Sequence, residues 1–259
     1  LLISSKSCII EVDETKETNT MKLIIENTEL DMCESAMHIV LGAMMQDKRV
    51  NISLTAGKSP IEMYKMMTPK VKDKEQFKDI QYYVFDDAPY PGKVHGPIWD
   101  EMQDLFFRDA NIPDERIHAI TDDNWETFDE DIAKAGGLDV MVLGLGYDGH
   151  FCSNAPKVTP LDSYTYKVDR AWRRTILPHY NSNPEIPFVY TMGAKSLMKV
   201  KHLVMIVNGK HKAQILKDML EKPISNELPA TVLKLHPNFT IIADKDAASL
   251  LDMDKLGRL

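Results

Sequence analysis

The strongest constraint on this chain is an alternation of strand and helix patterns from residue 21 onward. A short β-branched apolar run comes first, then a turn of Gly, Asp, Ser or Pro, then apolar residues at helical spacing. Residues 23–25, 51–55, 80–85, 140–145, 188–191, 203–207 and 239–243 read as strands. Met32, Ala36, Ile39, Val40 and Ala43 share one helical face, as do Ile61, Met63, Tyr64 and Met67, and later Ala213, Leu216 and Leu220. Helices are also expected over residues 98–107 and 125–135, near 194–199, and briefly after Asp244. Strands alternating with helices predict an α/β fold of the Rossmann-like kind, a mainly parallel sheet with helices on both faces. Such sheets hold ligands beyond the carboxyl ends of their strands. Chemistry is therefore expected just after strands. No repeat or low-complexity linker interrupts the pattern, so residues 21–259 are expected to form one domain.

Residues 1–20 break the pattern. They lack the basic start, long apolar centre and small-residue cleavage site of a secretory signal. Met21 directly precedes a strand-like run, so the expectation is a folded domain from Met21 behind a flexible leader or a mis-set start. Three widely spaced cysteines rule out a disulfide scaffold and point to a reducing, cytoplasmic setting. With 31 basic against 39 acidic residues, a net charge of −8 argues against a nucleic-acid partner. No apolar run approaches the roughly 18 residues of a membrane span.

Four strand ends carry polar chemistry. Thr55-Ala56-Gly57-Lys58-Ser59-Pro60 is a glycine-containing turn into a helix, where backbone N–H groups can meet a phosphate. An ordinary turn with Ser59 as the helix cap accounts for the same residues. Phe85-Asp86-Asp87-Ala88-Pro89 ends a strand in two carboxylates. They suit either proton transfer at a sugar carbon or a solvated turn. Gly144-Leu145-Gly146-Tyr147-Asp148-Gly149-His150 closes the most apolar strand with glycines, an acid and a histidine able to exchange a proton near neutrality. The plainer reading is a surface turn. In Asn208-Gly209-Lys210-His211-Lys212, Lys212 at a helix start can reinforce an anion site, although lysine pairs usually face solvent. Histidines are scattered and cysteines unpaired, so no metal is expected. Cys152 reads as a small packing residue.

Taken in order, TAGKSP, FDDAP, LGLGYDGH, YTMGAKSL, NGKHKA and PATVLKLHPNFTIIAD resemble the glucosamine-6-phosphate deaminase (isomerase) and 6-phosphogluconolactonase family. The likeness spans nearly all of residues 21–250, and PATVLKLH leans toward the deaminases. The resemblance implies a deaminase-like single domain acting on a sugar phosphate without cofactor, and a homo-oligomer is compatible with it. It places Gly57, Lys58 and Ser59 in a phosphate-binding loop with Lys212 as the phosphate-contacting lysine. It makes Asp86 the carboxylate that moves a proton between C1 and C2. His150 becomes the ring-opening histidine, with Asp148 as its acidic partner. The implied reaction turns glucosamine 6-phosphate into fructose 6-phosphate and ammonia.

One departure stands out. Deaminases continue the Asp-Gly-His motif into Asn-Glu-Pro, whose glutamate assists the histidine, whereas this chain reads Asn154-Ala155-Pro156. General acid–base help of that kind is worth roughly 10²–10⁴-fold. Arg173 and Arg174 lie in the region of a family phosphate arginine. Two alternatives follow: a lactonase in which His150 activates water, and a sugar-phosphate-binding protein without turnover. The absence of a lactonase-like Asp-Glu-Arg run and the retention of Asp86 and His150 argue against them.

Overall fold

Alternate residues of the central strands enter opposite cores, and this sets the architecture. The computed structural model describes residues 8–13, 20–169 and 186–252. Strand β1 is Cys8–Asp13 and β2 is Thr20–Glu26; β3 (Val50–Ser53), β4 (Ile80–Val84), the two-residue β5 (Asp86–Asp87) and β6 (Ile117–Ala119) follow. Then come β7 (Val140–Gly144), β8 (Tyr166–Asp169), β9 (Phe188–Thr191), β10 (Leu203–Val207) and β11 (Asn238–Asp244). In β10, Leu203, Met205 and Val207 pack into one core while Val204 and Ile206 pack into the other. Met141 and Leu143 of β7 are split from Val140 and Val142 in the same way. A strand buried on both faces needs helices on both, and it has them.

Helices α1 (Glu29–Met44), α2 (Ile61–Val71) and α3 (Pro97–Met102) supply one layer, through Met32, Met37, Val40, Met63, Met67 and Met102. The other layer comes from α4 (Phe128–Lys134), α5 (Ala194–Leu197) and α6 (Ala213–Glu221), through Ile132, Leu197, Leu216 and Met219. Local chemistry starts α1: the Thr28 side chain accepts the Asp31 N–H at 3.1 Å, and Glu29 and Asp31 sit in the positive first turn.

The large sheet runs β1-β2-β11-β10-β7-β3-β4-β6, parallel from β2 to β6. From β3 the chain builds outward through β4 to β6, then returns at β7 and builds the other way. The order therefore reverses between β3 and β7, and a crevice at such a reversal is where α/β sheets take ligands. A second sheet, β5-β9-β8, is antiparallel and lies beyond the end of β4.

Several expectations need correction. Cys8–Asp13 pairs antiparallel with β2 along its whole length, so these six residues are strand rather than flexible leader. Residues 188–191 are a strand, but in the small antiparallel sheet. The helix expected over 125–135 starts only at Phe128, because the Asn124 side chain accepts the Thr121 N–H and donates to the Ala119 carbonyl, closing a turn there. Turns replace the helix expected after Asp244, whose carboxylate accepts the N–H groups of Ala247 and Gly209. Among the described residues, no helix is long and apolar enough to cross a membrane.

Candidate active site

Four adjacent strands, β10, β7, β3 and β4, deliver the four polar turns to one edge of the sheet. After β4 the two carboxylates separate in character. Asp87 is fully buried and accepts backbone N–H groups from Ala88 (2.8 Å), Gly96 (2.8 Å) and Trp99 (3.4 Å). Burial pushes its pKa up and those donors pull it back. It ties the 88–99 loop together. Gly96 has to be glycine, since a Cβ there would lie 1.9 Å from the Ala88 carbonyl oxygen.

Asp86 is also buried, but it meets a hydroxyl instead: Ser153 Oγ donates to Oδ2 at 2.7 Å. Burial raises its pKa to about 7; the Ser153 bond lowers it, and the charges of Asp87 and Glu101 raise it further. A carboxylate poised near neutrality can take a proton and give it back.

After β7 the chain turns so tightly that Gly146 lies against the His150 ring; a Cβ there would be 2.2 Å from Nδ1. Asp148 Oδ1 lies 2.6 Å from Nδ1 and also accepts the His150 N–H at 3.1 Å. Burial works against the Asp148 charge, but the hydrogen bonds and charge of His150 outweigh it and hold the pKa low. A proton on Nδ1 shared with Asp148 leaves Nε2 as the free acceptor. Gly149 (φ 89°) completes the turn, and the Ala230 N–H donates to its carbonyl at 3.1 Å. The Pro229–Leu235 segment, buried from Pro229 to Leu233, thus braces the histidine loop.

After β3, Gly57 takes φ 95° and its N–H donates to Glu101 Oε1 at 3.2 Å. Ser59 does not cap α2; its hydroxyl donates instead to Asn208 Oδ1 at 2.5 Å, across to the turn after β10. From that same turn Lys212 Nζ reaches Ser59 Oγ at 3.4 Å. Burial lowers the Lys212 pKa to about 8, opposed by Asp244 and Glu29, so the amine is mostly charged at pH 7. Lys58 stays exposed.

The structure therefore brings Ser59 to Lys212 and Asp148 to His150. Gly57 and Asp86 share Glu101 as a neighbour. Sequence reasoning left Ser153, Glu101 and Asn208 without roles. Asn208 had a signal in its place beside Gly209 at a strand end, whereas Ser153 and Glu101 had none. Ala155 is buried in an apolar cluster with Ala88, Val168, Ile186 and Val189. Burial pushes the Cys152 thiol well up, with Asp86 adding to it, as suits a protonated packing residue. Arg173 and Arg174 lie outside the described residues. Among the described residues no three His, Cys, Asp or Glu side chains are grouped to hold a metal ion.

Fold and site together define a class: a Rossmann-like α/β domain with a neutral-range carboxylate, a His–Asp pair and a half-buried lysine on the carboxyl edge of its sheet. The particular family follows from comparison with known proteins. The model of glucosamine-6-phosphate isomerases/6-phosphogluconolactonase matches residues 26–241, and the chain belongs to that family. The glucosamine-6-phosphate deaminase of Thermoanaerobacter pseudethanolicus is 32% identical over 91% of this chain and 97% of its own length. That of Clostridium acetobutylicum is 29% identical over 89% of this chain and all of its own. A solved monomeric glucosamine-6-phosphate deaminase superposes with a TM-score of 0.74 at 23% identity, covering 88% of this chain and 99% of that one. The 6-phosphogluconolactonase of Trypanosoma brucei superposes at 0.67 and 17% identity, covering 92% and 100%. At those identities the two structures speak for the fold alone.

Proposed function

We propose that this protein is a glucosamine-6-phosphate deaminase, converting glucosamine 6-phosphate to fructose 6-phosphate and ammonia. The observation that carries the reading is Asp86, a buried carboxylate at a strand end with a pKa of about 7. Isomerising an aldose to a ketose moves a proton from C2 to C1. One group that is base and then acid near neutrality suffices for that step. His150, oriented by Asp148, takes the ring hydroxyl proton and passes it to the ring oxygen, opening the pyranose. Asp86 removes the C2 proton from the open-chain sugar and returns it to C1. That transfer leaves an iminium at C2; water adds to it, and the carbinolamine expels ammonia to leave the C2 ketone of the ketose. Ser59, Lys212 and the Gly57 loop hold the phosphate; Lys58 lies at the rim. The catalytic domain spans residue 21 onward, with Cys8–Asp13 added as an edge strand of its sheet.

Ala155 leaves the ring-opening step to the His150–Asp148 pair alone. A 6-phosphogluconolactonase does not need the missing glutamate, so the same assay should include its lactone.

The test is ammonia release from purified protein given glucosamine 6-phosphate, with His150→Ala as control. Turnover lost by about 10²-fold or more in the variant is expected. Absence of ammonia together with histidine-dependent lactone hydrolysis would replace the deaminase by the lactonase. Phosphate-ester binding without either reaction would leave a sugar-phosphate-binding protein.

A further inference from the structure

We propose that Ser153 is the positioning residue of the proton-transfer site: its hydroxyl holds Asp86 in one orientation through both protonation states. The inference rests on the role given to Asp86 above.

The geometry is specific. Ser153 is buried and its Oγ sits 2.7 Å from Asp86 Oδ2. Its own backbone is anchored, because the Ser153 N–H donates to Thr191 Oγ1 at 3.1 Å. Thr191 lies opposite Asp86 in the β5–β9 pairing, so one residue references both partners. Asn154 fixes the next step by donating to the Met192 carbonyl at 2.8 Å and accepting the Tyr166 hydroxyl at 3.0 Å. The chain enters this segment through Cys152 at φ 48°, a left-handed conformation that non-glycine residues seldom adopt. The small antiparallel sheet is thus a frame for one hydroxyl–carboxylate pair.

A hydroxyl is suited to this task because it both donates and accepts. Ser153 donates to Asp86 when the carboxylate is ionised, and its lone pairs can accept the proton when Asp86 is the acid. An ammonium, which only donates, could not serve both states. The other groups facing Asp86 push against ionisation: Asp87 on β5, Glu101 on α3 and the buried surroundings. With the donated bond removed, those influences stand unopposed and the pKa rises.

The experiment compares wild type, Ser153→Ala and Ser153→Thr in two readouts. One is the pH dependence of kcat/KM for glucosamine 6-phosphate. The other is a carbon-13 carboxyl titration of Asp86 in the full chain, its signal assigned by its loss in Asp86→Asn. In Ser153→Ala the titration midpoint and the acid limb should both move up by about one to two pH units, the value of a hydrogen bond to a charged group. Activity should then fall most below pH 7 and recover at high pH, with KM little changed. Ser153→Thr, which keeps the hydroxyl, should restore the midpoint. A folded Ser153→Ala protein whose Asp86 midpoint is unmoved overturns the proposal, as does a uniform loss of rate at every pH without a shift. If wild type released no ammonia, the deaminase reading would fall, while the carboxyl titration would still decide the role of Ser153.

Discussion

Adjacent aspartates of identical chemistry end in different states because of what each oxygen meets. Asp87 spends its oxygens on three backbone N–H groups of its own loop, whereas Asp86 faces one hydroxyl and two like charges. Keeping Asp86 ionised costs stability. Its pKa is about 7 in the folded protein against 3.8 for an ordinary aspartate, so between those values the folded state holds a proton that the unfolded chain releases. Folding is therefore disfavoured progressively as pH rises from about 4 to 7, and the full penalty persists above 7. About three pH units at 1.36 kcal/mol each set its ceiling near 4 kcal/mol. Asp86→Asn should abolish isomerisation yet resist urea better than wild type at pH 8, with the gain fading toward pH 4. Lower stability of the variant at pH 8 would show that the ionised form is favoured by the fold after all.

At the scale of elements, the turn after β7 sets the histidine. Gly146 and Gly149 look alike in sequence but do different work. Gly149 has a positive φ, and a Cβ there would sit 1.9 Å from Leu228 Cδ1. Gly146 has no such positive φ, and the three atoms nearest its Cβ would all belong to the His150 ring. Gly146→Ala should therefore swing the imidazole off Asp148 and cut kcat by roughly 10²-fold or more, with unfolding free energy within about 1 kcal/mol of wild type. Kinetics beside urea denaturation would check it; unchanged kcat would mean that the 2.6 Å contact is dispensable. The Pro229–Leu235 segment, one of the six motifs behind the family resemblance, has a physical task in bracing this same turn.

Across the whole molecule the two ends of the sheet divide the labour. Opposite the site, buried Asp139 at the start of β7 accepts the Asn51 N–H of β3 at 2.9 Å, Lys48 at 2.7 Å and Lys201 at 2.9 Å. Burial opposes its charge, but these three donors outweigh it and hold its pKa low. Its contribution is present above about pH 4 and fades as acid protonates it. Asp139→Ala should cost about 2 kcal/mol, chiefly by orphaning the Asn51 N–H, and should leave KM and kcat unchanged at 25 °C. A changed KM would show that the two ends are mechanically coupled.

Period and punctuation determined most of the fold. Short β-branched apolar runs such as 140–145 and 203–207 read as strands buried on both faces, and turn residues at their ends mark where such sheets take ligands, so Asp86, His150 and Lys212 stood out as candidates in the sequence. Pairing was not legible. Cys8–Asp13, Ile117–Ala119 and Tyr166–Asp169 are strands only because a neighbour supplies their hydrogen bonds, and 188–191 looked like any other strand until its partners proved antiparallel. Likewise Ser59, locally a helix cap, was claimed by Asn208, 149 residues away in the chain. The tertiary structure alone distinguished Asp86 from Asp87 and gave Ser153 a partner, because a carboxylate's pKa and a hydroxyl's bond depend on groups that are close in space and distant in sequence.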